Sequence, residues 1–466
     1  MKRLVLPLAL ACAGCTVGPD YRKPEEPVPA QFRAAPASAP ADLSQWWTQF
    51  RDPELESLVA RALKSNIDLL TAASRVREAR QEEIVAGAAG LPQVNANGTA
   101  VHLHSAGDPL AGITGQPPSS GGTDIKLYSV GFDATWEIDV FGGVRRSVEQ
   151  AKASAEAADW AVRDGEVTLT AEVATDYLTL RTLQARIAIL KDEQKRQNDT
   201  LALVAARAKA GFVTQLDVNQ QNAQLQTTAA QIPPLEAQAR ATEHAIAILL
   251  AEMPDALSAE LETGTPPPET PPMLPTGLPS DLLERRPDVR EAERKLAAAT
   301  AAIGVATAEL YPKFNLLAGI SFSSNQLSNL FSASNLGELG LGQITAPIFS
   351  GGKIHANIHI KEEEARQALL AYRGGVLGAL RDAEDAFTRE TSERQRLATL
   401  AQAADAARSS SHIAFEQYRV GLTTYVNVLE AQATDLSAQD QLAQSRLALA
   451  ADLISIYKAL GGGWRQ

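Results

Sequence analysis

The chain has 466 residues, with 43 Lys and Arg against 55 Asp and Glu, a net charge of -12, 45% hydrophobic residues and only 5% aromatic ones. These values exclude a disordered or collagen-like chain, and an acidic balance without a basic block offers nucleic acid no electrostatic footprint. Past the N-terminal segment nothing approaches the ~20 apolar residues of a membrane helix, so only strands remain for crossing a bilayer.

Met1-Lys2-Arg3 followed by Leu4 to Ala13 has the layout of a secretory signal. Small residues before Cys15 resemble a bacterial lipoprotein signal, which implies removal of residues 1–14 and acylation of Cys15; Cys12 is the other candidate thiol. A mature chain whose single thiol carries lipid forms neither disulfides nor thiolate metal sites. Residues 15–50, rich in Pro and Ala up to Pro40, read as an extended arm behind the anchor.

Helical spacing begins at Pro53 and runs to Ala89. A first strand is expected over 92–104; its alternation changes phase at Val101, the mark of a bulge. A second is expected over 125–140, where Tyr128, Val130, Phe132, Ala134, Trp136 and Ile138 alternate with polar and acidic residues. A helix of more than sixty residues follows to Lys209, long enough to reach ~100 Å. Seven-residue spacing of Val148, Ala155, Val162, Leu169, Leu183 and Leu190, interrupted by Asp176, predicts coiled-coil packing along it. Gly211 ends this helix at a natural left-handed cap, and Thr214 with Asp217 forms an N-cap pair for the next, which Pro233-Pro234 must break in two.

The chain then repeats itself. Leu91-Pro92-Gln93-Val94-Asn95 returns as Tyr311-Pro312-Lys313-Phe314-Asn315, Val140-Phe141-Gly142-Gly143 as Ile348-Phe349-Ser350-Gly351-Gly352, and Ala210-Gly211-Phe212-Val213-Thr214 as Val420-Gly421-Leu422-Thr423-Thr424. The domains expected are a first repeat over 51–262, a Pro-rich linker over 263–279 and a second repeat over 280–466. The second repeat holds strands near 312–324 and 338–349, a tip near residue 421, and Thr424 with Asn427 as the matching N-cap pair. Its last helix spaces Leu429, Leu436, Ala443, Ala450 and Tyr457 by seven, with Asp440 as an interruption. The fold class is mainly α with a transmembrane β part. Four strands cannot close a barrel, and open edges cannot face lipid. Closure therefore requires oligomerisation, and three copies give twelve strands.

His355 and His359 share a helix face, but no Glu follows His355 as a zinc peptidase needs. No phosphate loop, dinucleotide fingerprint or nucleophile elbow is present. Neither a metal nor a cofactor is expected, and the chain does not read as an enzyme.

Gly14-Cys15-Thr16-Val17-Gly18-Pro19-Asp20-Tyr21, Trp46-Trp47-Thr48-Gln49-Phe50 with Asp52-Pro53, and Leu282-Leu283-Glu284-Arg285-Arg286-Pro287-Asp288-Val289-Arg290 resemble the TolC-like outer-membrane efflux factors, in particular their NodT-type lipoprotein branch. The resemblance implies a homotrimer whose twelve-stranded outer-membrane barrel continues into a periplasmic helical barrel. Its partners would be a periplasmic adaptor and an inner-membrane RND pump, with small molecules such as drugs conducted passively. It places adaptor-facing tips at Gly211, Phe212, Gly421 and Leu422. It places the periplasmic gate at Asp217, Tyr418, Asn427 and Glu430, with an Asp217–Tyr418 hydrogen bond as latch. A basic latch residue of some relatives falls on Thr423. A lipidated trimeric coiled coil without a pore is the alternative outside transport; metal-cation efflux and type I secretion are alternatives within it.

Overall fold

A computed structural model describes residues 16–33, 42–105, 123–262, 266–273 and 279–464. Cys12 and Cys15 lie outside them. Two compact units form, each drawing on both halves of the duplication: residues 1–24, 76–157 and 293–371, and residues 25–75, 158–292 and 372–466. The helices are α1 (Pro53–Ser65), α2 (Ile67–Ala88), α3 (Gly143–Lys209), α4 (Gln215–Ala230), α5 (Ile232–Leu249), α6 (Ser258–Leu261), α7 (Pro279–Arg285), α8 (Pro287–Ala308), α9 (Lys353–Arg419) and α10 (Tyr425–Ala459). No described helix is long and apolar enough to cross a membrane.

The first unit carries one antiparallel sheet of β1 (Gln93–Ser105), β2 (Thr123–Ile138), β3 (Lys313–Ser324) and β4 (Leu336–Thr345), paired in chain order. Directly opposed residues share a face, and every pair joins even to even or odd to odd numbers. One face is therefore all even: Val94, Ala96, Phe132, Ala134, Trp136, Phe314, Leu316, Ile320, Phe322 and Ile344, among others. Asn95, Asn97, Asp133, Asn315 and Gln343 lie on the other. The bulge expected at Val101 is absent, since β1 and β2 pair residue for residue from Gln93↔Thr135 to Ser105↔Thr123. Instead both strands exchange polarity together: beyond Ala100 and Tyr128 the even face carries His102, His104, Asp124 and Lys126, and the odd face Val101, Leu103, Ile125 and Leu127. Because β2 changes phase opposite β1, a regular ladder accommodates the switch.

β4 stops at Thr345, ahead of Pro347, which has no N–H for the ladder. After β2, Asp139 turns the chain into α3, its carboxylate accepting from the Val144 and Arg145 amides at 3.2 and 3.0 Å. The N-terminal arm joins the same corner. Val17 N–H donates to the Phe141 carbonyl at 3.1 Å. The buried Arg146 guanidinium donates to the carbonyls of Val17 and Gly18 at 3.0 and 3.2 Å and to Asp20 at 2.7 Å. Gly18 has φ +86, and a Cβ there would sit 2.4 Å from Gly304 Cα.

The second unit is helical. Leu169, Leu183 and Leu190 of α3 and Ala450, Leu453 and Tyr457 of α10 join one buried cluster with Trp46, Trp47, Phe50, Leu58, Ile246 and Phe387. Asp440, an interruption in the apolar spacing, accepts two bonds from Arg186 of α3, at 2.6 and 3.3 Å. The α4–α5 break falls at Gln231, which leaves Pro233 and Pro234 in the first turn of α5, where a missing N–H costs nothing. The RRPDVR stretch is structural: Arg286 forks onto Asp288 and caps the Ala459 carbonyl, while Arg290 lies over Trp160.

Candidate gate and docking tips

Within the helical unit, each long helix reverses through the same five-residue turn. At the first tip Phe212 N–H donates to the Arg207 carbonyl and Gly211 N–H to that of Ala208, both at 3.0 Å. At the second, Leu422 N–H bonds Gln417 at 2.8 Å and Gly421 N–H bonds Tyr418 at 3.0 Å. Both are Schellman motifs, closed by glycines at φ +77 and +83. The residue after each glycine points away from the chain: Phe212 is 80% and Leu422 77% exposed. Two large apolar side chains are thus held outward on the turns, outside the core behind them.

Behind the turns, Val204, Tyr418, Tyr425 and Val428 make a small core of their own. The rings of Tyr418 and Tyr425 meet edge to face at 5.9 Å. The Arg207 guanidinium covers Tyr418 at 4.6 Å and donates to the carbonyls of Tyr418 and Arg419, both at 2.8 Å. It thereby ties the end of α3 to the end of α9. Tyr425 donates a short hydrogen bond to Gln221 of α4, and Gln221 donates to the Gln197 carbonyl at 2.7 Å. Burial, reinforced by Tyr418 and Asp217, raises the Tyr425 phenol above its ordinary pKa. A groove of about 810 Å³ runs between the tips, lined by Arg207, Phe212, Asp217, Tyr418 and Tyr425 among others.

The expected Asp217–Tyr418 latch is not formed. Asp217 accepts instead from the Thr214 amide and hydroxyl, at 2.8 and 2.9 Å, because a partner three residues away demands no movement of a second hairpin. The buried Tyr418 hydroxyl has no hydrogen-bond partner among the described residues. The matching pair at the second tip also differs: Asn427 donates its side-chain amide to the Thr423 hydroxyl at 2.7 Å, where Asp217 at the first tip accepts from its N-cap amide. Unlike a carboxylate, an amide can donate as well as accept. Asn427 and Glu430 lie three residues apart on one exposed helical face of α10, continued by Thr434, Ser437, Gln441 and Gln444. Glu430 is the one charge in that row. The sequence analysis missed Arg207, Gln221 and Tyr425. The available signal was Tyr425 standing where the first repeat has Gln215.

The chain matches the family model for outer membrane efflux proteins twice, over residues 58–252 and 278–462, once in each half of the duplication. It is 33% identical to the pyoverdine export outer membrane protein OpmQ of Pseudomonas aeruginosa, over 98% of this chain and 95% of that one. It is also 33% identical to nodulation protein T of Rhizobium leguminosarum bv. viciae, over 99% and 92%. The solved outer-membrane channel OprN superposes with a TM-score of 0.90 at 34% identity, covering 97% of this chain and 100% of that chain. The chain belongs to the outer membrane efflux protein family.

Proposed function

We propose that three copies of this chain form the passive exit duct of a tripartite efflux system. The duct crosses the outer membrane as a twelve-stranded barrel and receives cargo in the periplasm from an adaptor and an inner-membrane RND pump. The observation that carries this reading is the sheet: four strands with two unpaired edges and one face that is apolar over the Trp136 to Tyr128 stretch of β2, an arrangement lipid tolerates only when the edges are closed. The duct conducts and does not catalyse; energy comes from the pump. The cargo class is a small organic molecule, on the strength of the relative named for pyoverdine export.

In this reading Cys15 carries the lipid anchor, Gly211, Phe212, Gly421 and Leu422 meet the adaptor, and Glu430 with Asn427 lines the periplasmic constriction. Asp217 and Tyr418 act by shaping their own hairpins. Three Glu430 carboxylates in a narrow aqueous pore concentrate negative potential and favour cations. Planar-bilayer recordings test this: the wild type conducts with cation preference, and Glu430→Gln lowers that preference while leaving the barrel intact. Unaltered selectivity and opening in the variant removes Glu430 from the constriction, and a protein without conductance removes the duct.

A further inference from the structure

The duplication contains information about a contact that one chain cannot make. β1 opens on Gln93 opposite Thr135, and β3 opens on Lys313 opposite Thr345. The second pair is the first carried forward one repeat, by 220 residues in the first strand and 210 in the second. α9 likewise begins 210 residues after α3. Between the repeats, β2 meets β3 with Thr135 opposite Leu317. In a closed trimer the equivalent junction is β4 against β1 of the next copy. Carrying the β2 member of the β2–β3 pair forward by 210 residues and the β3 member back by 220 puts Thr345 opposite Asn97 of the partner subunit.

We propose that the subunit interface of the barrel has this register, and that Glu338 is seated by it against His104 of the partner subunit. Chemistry along the two edges agrees, independently of the repeat. On the odd face Thr345 meets Asn97 and Gln343 meets Thr99, polar against polar; Leu341 meets Val101 and Leu339 meets Leu103, apolar against apolar. On the even face Ile344 lies over Gly98. Ile348, 93% exposed in the single chain, reaches Val94 of the partner subunit. Glu338 is the one charge on the even face of β4. It meets the edge of a group comprising His102, His104, Asp124 and Lys126, within which His102 Nε2 lies 2.6 Å from Asp124 Oδ1. A slip of one residue moves every side chain to the wrong face. A slip of two in one direction sets Leu341 on Thr99, and in the other sets Gln343 on Val101.

The inference rests on the closed trimer, and disulfide trapping separates the two. Directly opposed residues have Cα atoms ~4.5–5.5 Å apart, within disulfide reach; residues displaced by two lie ~7–8 Å apart, outside it. Three double variants of the full-length protein are oxidised in isolated outer membranes: Q343C with T99C, Q343C with N97C, and Q343C with V101C. Covalent trimers are expected from the first alone. Linkage in either of the others, or an intact trimer linked by none, overturns the register. A monomer in detergent overturns the closed barrel itself.

Discussion

Arg146 illustrates how much one buried side chain organises here. Its side chain is only 4% exposed, yet it binds Asp20 and Glu149, each at 2.7 Å, and two carbonyls of the arm. Charge-assisted bonds of this kind contribute ~1.5–3 kcal/mol each. Arg146→Met keeps the bulk and removes the donors, so residues 16–20 are expected to become protease-sensitive at unchanged sheet content; an arm as resistant as wild type refutes the role. Glu54 makes a titration argument. Burial, with the neighbouring Glu260, pushes its carboxyl from 4.5 up to about 7. The folded state therefore holds a proton that the unfolded chain releases near 4.5, and this group's contribution to stability falls as pH rises through that window. Glu54→Gln is permanently neutral. Its melting temperature is expected to exceed that of wild type at pH 7.5 and to converge with it at pH 4.5; parallel curves contradict the assignment.

At the scale of elements, the tip glycines matter through backbone conformation alone. An added Cβ at Gly211 or Gly421 meets nothing within 4 Å, but φ is +77 and +83. Gly421→Ala therefore costs the left-handed penalty of ~1–2 kcal/mol without a clash, and hydrogen exchange of the tip amides should quicken several-fold while the sheet is unaffected. Exchange unchanged at the tip means the cap is dispensable. These turns were legible in sequence because glycine, the N-cap threonine and the repeat all marked one place. The β alternation was equally plain in β2, where Tyr128 to Ile138 keep one phase. What escaped was set by contacts between distant residues. The phase change at Val101 became a regular ladder because Leu127 and Ile125 change phase opposite it. The latch failed because Asp217 had a closer partner in Thr214. Asp440 looked like a flaw in an apolar seam until Arg186, 254 residues away, was beside it. The motifs most telling of the family, Asp20-Tyr21, Trp46-Trp47 and Arg286 to Arg290, pack and cap in this fold.

For the whole molecule, the polarity exchange in the sheet predicts where the membrane ends. Along the even face, from Trp136 to Tyr128, apolar side chains fit a lipid-facing band bounded by aromatic rings, as transmembrane barrels show. Beyond Tyr128 the same face carries Lys126 and Asp124, whose charges hydrocarbon would penalise by ~2–4 kcal/mol for a cation at the bilayer midplane. The β1–β2 hairpin is therefore expected to leave the bilayer on the exterior side between residues 128 and 126, with its odd face, carrying Ile125 and Leu127, toward the barrel interior. Two single cysteines test this in intact cells with a membrane-impermeant maleimide. K126C is expected to label from outside, whereas A134C, on the same face eight residues deeper, is expected to stay unlabelled until the protein is denatured. Equal labelling of both places the apolar face in water and excludes the barrel; labelling of neither moves the outer boundary past Asp124 and undoes the reading of the polarity exchange as the membrane surface.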